Sequence, residues 1–252
     1  MQKRYWDRRY AASVAAAVAA ATILWIGNGF GQTPTAPAES DLARLTVLEA
    51  ELTGLETEIQ RLDDIKAIQR LQRAYGYYAD KKLADQIGVL FADDATVEIG
   101  GYGVYVGRER ITEFYDWIFG GPLREGQLYN QIIMQGVVTV EPGATTGKGR
   151  WRALIQSGEY GESAIWSEGP YENEYIKEDG VWKFSKVHWY QTVSAPYDPG
   201  WHKDPLPMPG PSDEFPPDRP PTESYESYPG AYLPPYHYPN PVTGRPTEVN
   251  DD

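Results

Sequence analysis

Four long runs of strand-forming residues crowd the chain between Tyr129 and Thr192, and they leave little choice of fold for that stretch. They are Tyr129 to Val140, Gly149 to Gly158, Ser163 to Lys177 and Val181 to Thr192. Turns at Pro142–Gly143, Tyr160–Gly161 and Glu178–Asp179–Gly180 separate them. Extended runs joined by such short turns pair with their neighbours, so an antiparallel meander is expected. Upstream the period changes from two to that of a helix. Ile65, Ile68, Leu71 and Tyr75 share one face of a helix over 64–80. A second helix is expected over 83–91, ending at Ala92–Asp93–Asp94. Short strands over 96–99 and 104–106 flank Gly100–Gly101–Tyr102–Gly103. A third helix, Arg108 to Phe119, is stopped by Gly120–Gly121–Pro122.

The two ends read differently. Residues 1–32 combine a basic start (Lys3, Arg4, Arg8, Arg9), an apolar run from Ala11 to Ile26 and a small, polar end, the pattern of a signal peptide; the alternative is an uncleaved membrane anchor. The expected location is exported, periplasmic or secreted. After the Pro/Ala linker Thr33–Ser40, Leu45, Leu48, Leu52, Leu55, Ile59 and Leu62 repeat every three and four residues, the spacing of a coiled-coil seam. Glu49, Glu56 and Asp63 on one flank and Glu51 and Glu58 on the other disfavour a parallel self-pair. The alternative is a helix lying on its own domain or on a neighbouring subunit. Most of the chain's 21 prolines lie beyond Ala195, mixed with Tyr225, Tyr228, Tyr232, Tyr236 and Tyr238. No helix or strand runs through such a stretch. It is an extended arm or a disordered tail, and its aromatic content favours an arm that packs on something. The expected divisions are 1–32 (signal peptide or anchor), 33–63 (linker and leucine-patterned helix), 64–195 (the folded domain) and 196–252 (the Pro/Tyr-rich tail).

Composition narrows the function. A net charge of −13 over 252 residues argues against a phosphate-backbone partner. There is no cysteine, which excludes thiol nucleophiles and disulfides. The three histidines, His188, His202 and His237, have no paired spacing suited to zinc, so no metal site is expected.

The stretches Tyr77-Tyr78-Ala79-Asp80-Lys81-Lys82 and Leu90-Phe91-Ala92-Asp93-Asp94-Ala95-Thr96-Val97 resemble the first helices and strand of SnoaL-like proteins of the nuclear-transport-factor-2-like superfamily, in its scytalone-dehydratase-like branch. Gly107-Arg108-Glu109-Arg110-Ile111 is similar to their entry into the third helix, and Asp179-Gly180-Val181-Trp182-Lys183-Phe184 to the start of their final strand. The resemblance covers about 64–195. It implies an α+β fold: a cone-shaped, curved antiparallel sheet wrapped on three helices (a cystatin-like α+β roll) with a pocket at its wide end. It also implies a homo-oligomer, dimer or trimer, formed through sheet faces. It implies a cofactor-free enzyme, a lyase, dehydratase or isomerase, acting by acid–base chemistry on a small hydrophobic molecule of aromatic, lignin-derived type. The other reading is a non-catalytic binding or assembly module.

Asp80 stands where that branch keeps a pocket carboxylate, as a general base or an orienting acceptor; otherwise it is a helix-end or capping carboxylate. Tyr77 or Tyr78 can face the cavity and donate a phenolic hydrogen bond, while Tyr75 suits core packing. The histidine that opens the family's first long strand is replaced here by Tyr129-Asn130-Gln131, and its polar pair near the end of the next-to-last strand by Tyr171 and Asn173. Asn130, Gln131 and Tyr171 become candidates for holding a substrate. Strict alternation puts His188 and Tyr190 on the inner face with Trp182 and Phe184, making His188 a candidate proton shuttle; a bulge would reverse this and turn Trp189 inward. Arg152 and Trp166 are candidates to sense substrate polarity or stack on a ring.

Overall fold

A computed structural model of the protein describes residues 39–247. The described residues fall into two units, divided between Glu51 and Leu52. The expected targeting segment lies outside the described residues. Among the described residues no helix is long and apolar enough to cross a membrane.

Helix α1 (Glu39–Ala79) is continuous across the division drawn at residues 63 and 64. In the first unit Leu42, Leu45 and Leu48 are exposed, and in the second Leu52, Leu55, Ile59 and Leu62 are exposed as well. Within the second unit, Leu52, Leu55, Ile59 and Leu62 therefore do not lie on its core. From Asp64 onward another stripe takes over. Asp64, Ile68, Gln72, Tyr75 and Ala79, three or four residues apart, are all buried. The polar members of this stripe are anchored, as burial demands. Asp64 accepts hydrogen bonds from Lys177 Nζ (2.7 Å) and Trp182 Nε1 (2.8 Å). Gln72 Oε1 accepts from Asn173 Nδ2 (2.9 Å) and Tyr175 Oη (2.8 Å).

Helix α2 (Ala84–Gly88) is shorter than expected, and strand β1 (Phe91–Ile99) begins earlier. The reason is tertiary: the Leu90 carbonyl accepts the Phe184 N–H at 2.9 Å, so sheet pairing captures the end of the expected helix. Strand β2 (Val104–Val106) and helix α3 (Arg108–Phe119) fall where their glycine boundaries put them. Then come β3 (Gln127–Thr139), β4 (Thr146–Glu159), β5 (Ser163–Glu178), β6 (Val181–Trp189) and β7 (Val193–Pro196). The sheet order is β2-β1-β6-β5-β4-β3, with β7 on β5. The meander β3–β6 is antiparallel, while β1 and β6 pair in parallel through Val97↔Val187 and Glu98↔His188. The protein is thus an α+β fold with an unclosed, curved sheet against helices.

Two departures from regularity decide which residues face inward. The run expected as one strand to Thr192 is two. β6 pairs with the second half of β5, and β7 with the first half, through Glu168↔Val193 and Ile165↔Pro196. The chain changes strand against Gly169, where an added Cβ would lie 1.9 Å from the Tyr190 carbonyl oxygen. Second, Glu174 pairs with Lys186 while Tyr175 pairs with Phe184, so Ser185 is an extra residue in β6. Before this bulge Phe184 stacks inward against Tyr75 and Phe91. After it Val187 and Trp189 belong to the core and His188 does not.

Beyond β7 the chain is extended; it runs past α3 and the β2 edge and returns along the outer face of the sheet. Phe215 stacks on Tyr105 and Trp117. Thr222 binds Glu98 through both N–H and hydroxyl, each at 2.8 Å. Tyr225 and Tyr232 stack on each other, and both rings pack against Tyr190. Arg150 lies 3.8 Å from the Tyr236 ring centroid and bonds the Pro235 carbonyl. The aromatic residues of the tail are the anchors of an arm. It covers the sheet face through which the resemblance implies oligomers form.

Candidate functional site

The end of α1 and the open edge of β3 enclose a groove of about 310 Å³. Arg73, Tyr77 and Asp80 line it from the helix side, at spacings of four and three that put them on one face. Asn130, Gln131, Ile132 and Ile133 line it from the strand. Gly76 lets the two elements meet: a Cβ there would stand 3.1 Å from Ile133 Cδ1 and 3.4 Å from the Gln131 carbonyl. The approach allows Asp80 Oδ1 to accept the Gln131 backbone N–H at 2.6 Å. Lys82, at φ 53°, turns back and donates to the Phe119 carbonyl (2.9 Å) and Gln127 Oε1 (3.1 Å), which pins the loop after Asp80.

Gln131 connects this groove with the interior. Its buried side chain donates from Nε2 to Tyr171 Oη at 2.6 Å. Tyr171 Oη is 3.2 Å from Tyr75 Oη, which is 2.9 Å from Tyr115 Oη. Burial pushes all three phenols upward in pKa, so they are neutral donors at physiological pH. Tyr129 is raised too, first by burial and then by the charges of Tyr75 and Asp80. The arrangement offers one carboxylate at a groove, one cation, side-chain amides, and a file of neutral hydroxyls behind them.

Of the residues picked from sequence, Asp80, Tyr77, Asn130 and Gln131 meet here. Tyr77 is 72% exposed. Asn130 also donates to Gln156 Oε1 at 3.0 Å. Tyr171 stands behind them in the hydroxyl file. Tyr78 packs against the core instead, and its carbonyl closes the turn by accepting from Lys81 and Leu83. The sequence reading missed Arg73 and Gly76, although the 73–77–80 spacing was legible. It also missed the Tyr115 hydroxyl, because which rings converge is a property of packing.

His188 and Tyr190 are corrections. The Ser185 bulge turns both to the outer face, beneath the arm, with rings stacked at 3.9 Å. His188 Nε2 lies 3.6 Å from Glu98 Oε2, and Nδ1 is buried without a partner. Two strands, β5 and β4, separate β6 from β3 in the sheet order, so His188 and Asp80 form no acid–base pair. Arg152 is also outward, bound to Gln135 and Glu168. Trp166 lies on that face beside Trp201, with ring centroids 4.8 Å apart.

The buried imidazole has a thermodynamic consequence. Burial, helped by Lys186, pushes its pKa down to about 3, and nearby Glu98 does not reverse this because desolvation shifts that carboxyl toward its neutral form. Between the ordinary value near 6.5 and about 3, the unfolded chain binds a proton that the folded chain refuses. Stability therefore falls as pH falls through that window, by up to about 1.4 kcal/mol per unit. Glu98, with its raised pKa, acts in the opposite sense: the folded carboxyl keeps its proton longer, and that contribution is lost as pH rises. His188→Gln isolates the imidazole. Urea midpoints measured from pH 7 to pH 4 should fall less steeply in the variant than in the wild type; parallel curves would show that the ring is solvated.

The curved sheet on helices, with its groove at the helix end, defines an α+β roll of the cone type. A sequence profile described as "SnoaL-like domain" matches residues 60–188, and the chain belongs to that family. The crystal structure of LinA is similar at 23% identity with a TM-score of 0.51, covering 57% of this chain and 96% of that one, and shares the fold. A hexachlorocyclohexane dehydrochlorinase LinA-type3 from Novosphingobium barchaimii is 23% identical, with a TM-score of 0.48 and coverage of 57% and 96%. An NTF2-like protein with a cystatin-like fold from Novosphingobium aromaticivorans is 18% identical, with a TM-score of 0.42 and coverage of 56% and 89%.

Proposed function

We propose that the groove at Asp80 is the active site of a lyase or isomerase that needs no organic cofactor. One observation carries this reading: Asp80 is bound to the backbone of Gln131, whose side chain leads into the Tyr171–Tyr75–Tyr115 hydroxyls. In this scheme Asp80 takes a proton from carbon or oxygen of the substrate. Arg73 and Asn130 hold the oxygen on which charge develops, and the neutral tyrosines stiffen Gln131 and the strand edge around it. The substrate class we infer is a small aromatic molecule with a carbonyl or hydroxyl beside the reacting carbon. Its ring would rest on Tyr77 and Ile132, and its oxygen would face Arg73.

A second reading, a non-catalytic binding module, is favoured by the interior itself. Tyr75, Tyr115, Tyr171, Phe91 and Phe184 fill it with ring-to-ring contacts, where a deep catalytic cavity would stand open. Small aromatic alcohols, diols and enones, screened first by thermal shift and then by product analysis, separate the two. A compound that stabilises the protein and is converted supports the enzyme. Stabilisation without conversion across the panel supports the binder. For location we keep the exported reading, and for assembly a homo-oligomer; intact mass from the native host and light scattering test them.

A further inference from the structure

One face of α1 has no cover within the second unit. Leu52, Leu55, Ile59 and Leu62 are 57%, 63%, 57% and 44% exposed. They stand at the two seam positions of successive heptads, and the same spacing runs back in sequence through Leu48 and Leu45. Asp64, Ile68 and Gln72, which begin the stripe buried in the core, leave the helix on the other side, roughly 160° round from these aliphatic side chains at about 100° per residue. The seam thus points away from the sheet that α1 packs on. A continuous row of large aliphatic side chains held in water marks an interaction surface.

The flanks decide what fits. Beside the seam stand Glu56 and Asp63 on one side and Glu58 on the other, with Glu51 one heptad before Glu58. Arg61 pairs with Glu58 at 2.6 Å and Lys66 with Asp63 at 3.7 Å, yet these two acids remain 49% and 63% exposed and still face whatever docks on the seam. Glu56 is exposed and has no ion pair among the described residues. A second copy of the chain fits badly in either direction. In a parallel pair Glu58 meets the copy's Asp63; in an antiparallel pair that sets Leu52 against the copy's Leu55, Glu51 meets its Glu58. An anionic lipid surface is repelled by the same acids. A helix with basic flanks instead takes the aliphatic row out of water and gives each acid a partner.

We propose that the seam of α1 is a docking site for a helix of another protein, one that carries its own apolar heptad seam flanked by lysine or arginine. The surface is separate from the groove at Asp80, whose helix residues Arg73, Tyr77 and Asp80 lie further along α1.

The probe is a synthetic helix of about three heptads with Ile and Leu in its seam and Lys on both flanks; its counterpart carries Glu in place of each Lys. Both are titrated into the full chain by calorimetry. The Lys peptide should bind saturably, one to one, and at least ~10-fold more tightly than the Glu peptide, the summed effect of several exposed ion pairs. That preference should shrink as salt rises from about 0.05 M to about 0.5 M. Leu55→Ser should weaken the Lys peptide at least ~10-fold, the scale of burying one leucine, while circular dichroism and the urea midpoint stay native because Leu55 is exposed in the free protein. Glu56→Lys combined with Asp63→Lys should erase most of the preference for the Lys peptide. The proposal is overturned if neither peptide binds, if the Glu peptide binds equally well, or if Leu55→Ser holds the Lys peptide as tightly as the wild type, which would reduce the contact to charge attraction. It is equally overturned if light scattering shows an oligomer of the chain alone that Leu55→Ser splits, which would give the seam to a second copy.

Discussion

Replacing Asp80 by asparagine should lower turnover at least ~10²-fold on any compound the protein converts, the scale of losing a general base. The fold should survive. Asn keeps an oxygen that can accept the Gln131 N–H now held at 2.6 Å, so the strand edge stays capped and the unfolding midpoint should barely move. Substrate affinity should change less than turnover, because the shape of the groove and Arg73 are untouched. His188→Gln is the informative companion. Under the arm, away from the groove, its loss should alter the pH dependence of stability and leave turnover at the wild-type level. Tyr77→Phe should cost only a few-fold, since one exposed neutral donor is removed and water replaces it. Full activity in Asp80→Asn would end the acid–base reading. Turnover lost in His188→Gln, with native stability, would require a site that reaches the opposite face.

The largest structural effect is expected at Gly169. An alanine Cβ there would meet the Tyr190 carbonyl oxygen at 1.9 Å, its carbonyl carbon at 2.9 Å and the Thr192 nitrogen at 3.0 Å. All three are backbone atoms at the crossing from β6 to β7, where Tyr190 N–H binds the Pro170 carbonyl and Thr192 N–H binds the Glu168 carbonyl. No side-chain rotation relieves such a contact. Overpacking against backbone costs about 3 kcal/mol, a large share of the stability of a marginally stable domain. Gly54 is the control. It lies within α1 and has nothing within 4 Å of its would-be Cβ, so alanine there should stabilise by roughly 0.5–1 kcal/mol. Urea denaturation of both variants checks the pair. A Gly169→Ala protein as stable as the wild type would mean that the β6–β7 crossing is looser than the structure has it.

Local rules carried much of the fold. Gly107 and the Gly120–Gly121 pair bound α3 at the residues expected, because positive φ is cheap only for glycine at those ends. The meander turns at Gly143, Gly161 and Gly180, each at positive φ, were legible for the same reason. The candidate site was partly legible. Asp80, Tyr77, Asn130 and Gln131 were singled out from a family resemblance, and they share the groove. His188 and Tyr190, expected on the inner face, lie on the outer one, and Arg152 and Trp166 stand apart from the groove. An alternating pattern has two phases, and one inserted residue exchanges them.

What the sequence by itself determined is whatever depends on neighbours along the chain: helix and strand type, glycine-bounded turns, the Pro/Tyr arm without helix or strand, and the carboxylate at the end of the first helix. Only the tertiary structure decided the parallel pairing of β1 with β6, the bulge at Ser185, the convergence of Tyr75, Tyr115 and Tyr171, and the use of the arm as a cover for the outer face. Each of these joins residues far apart in sequence. Their energies come from burial and from hydrogen bonds that exist only once the sheet has closed on α1, and no local propensity encodes them.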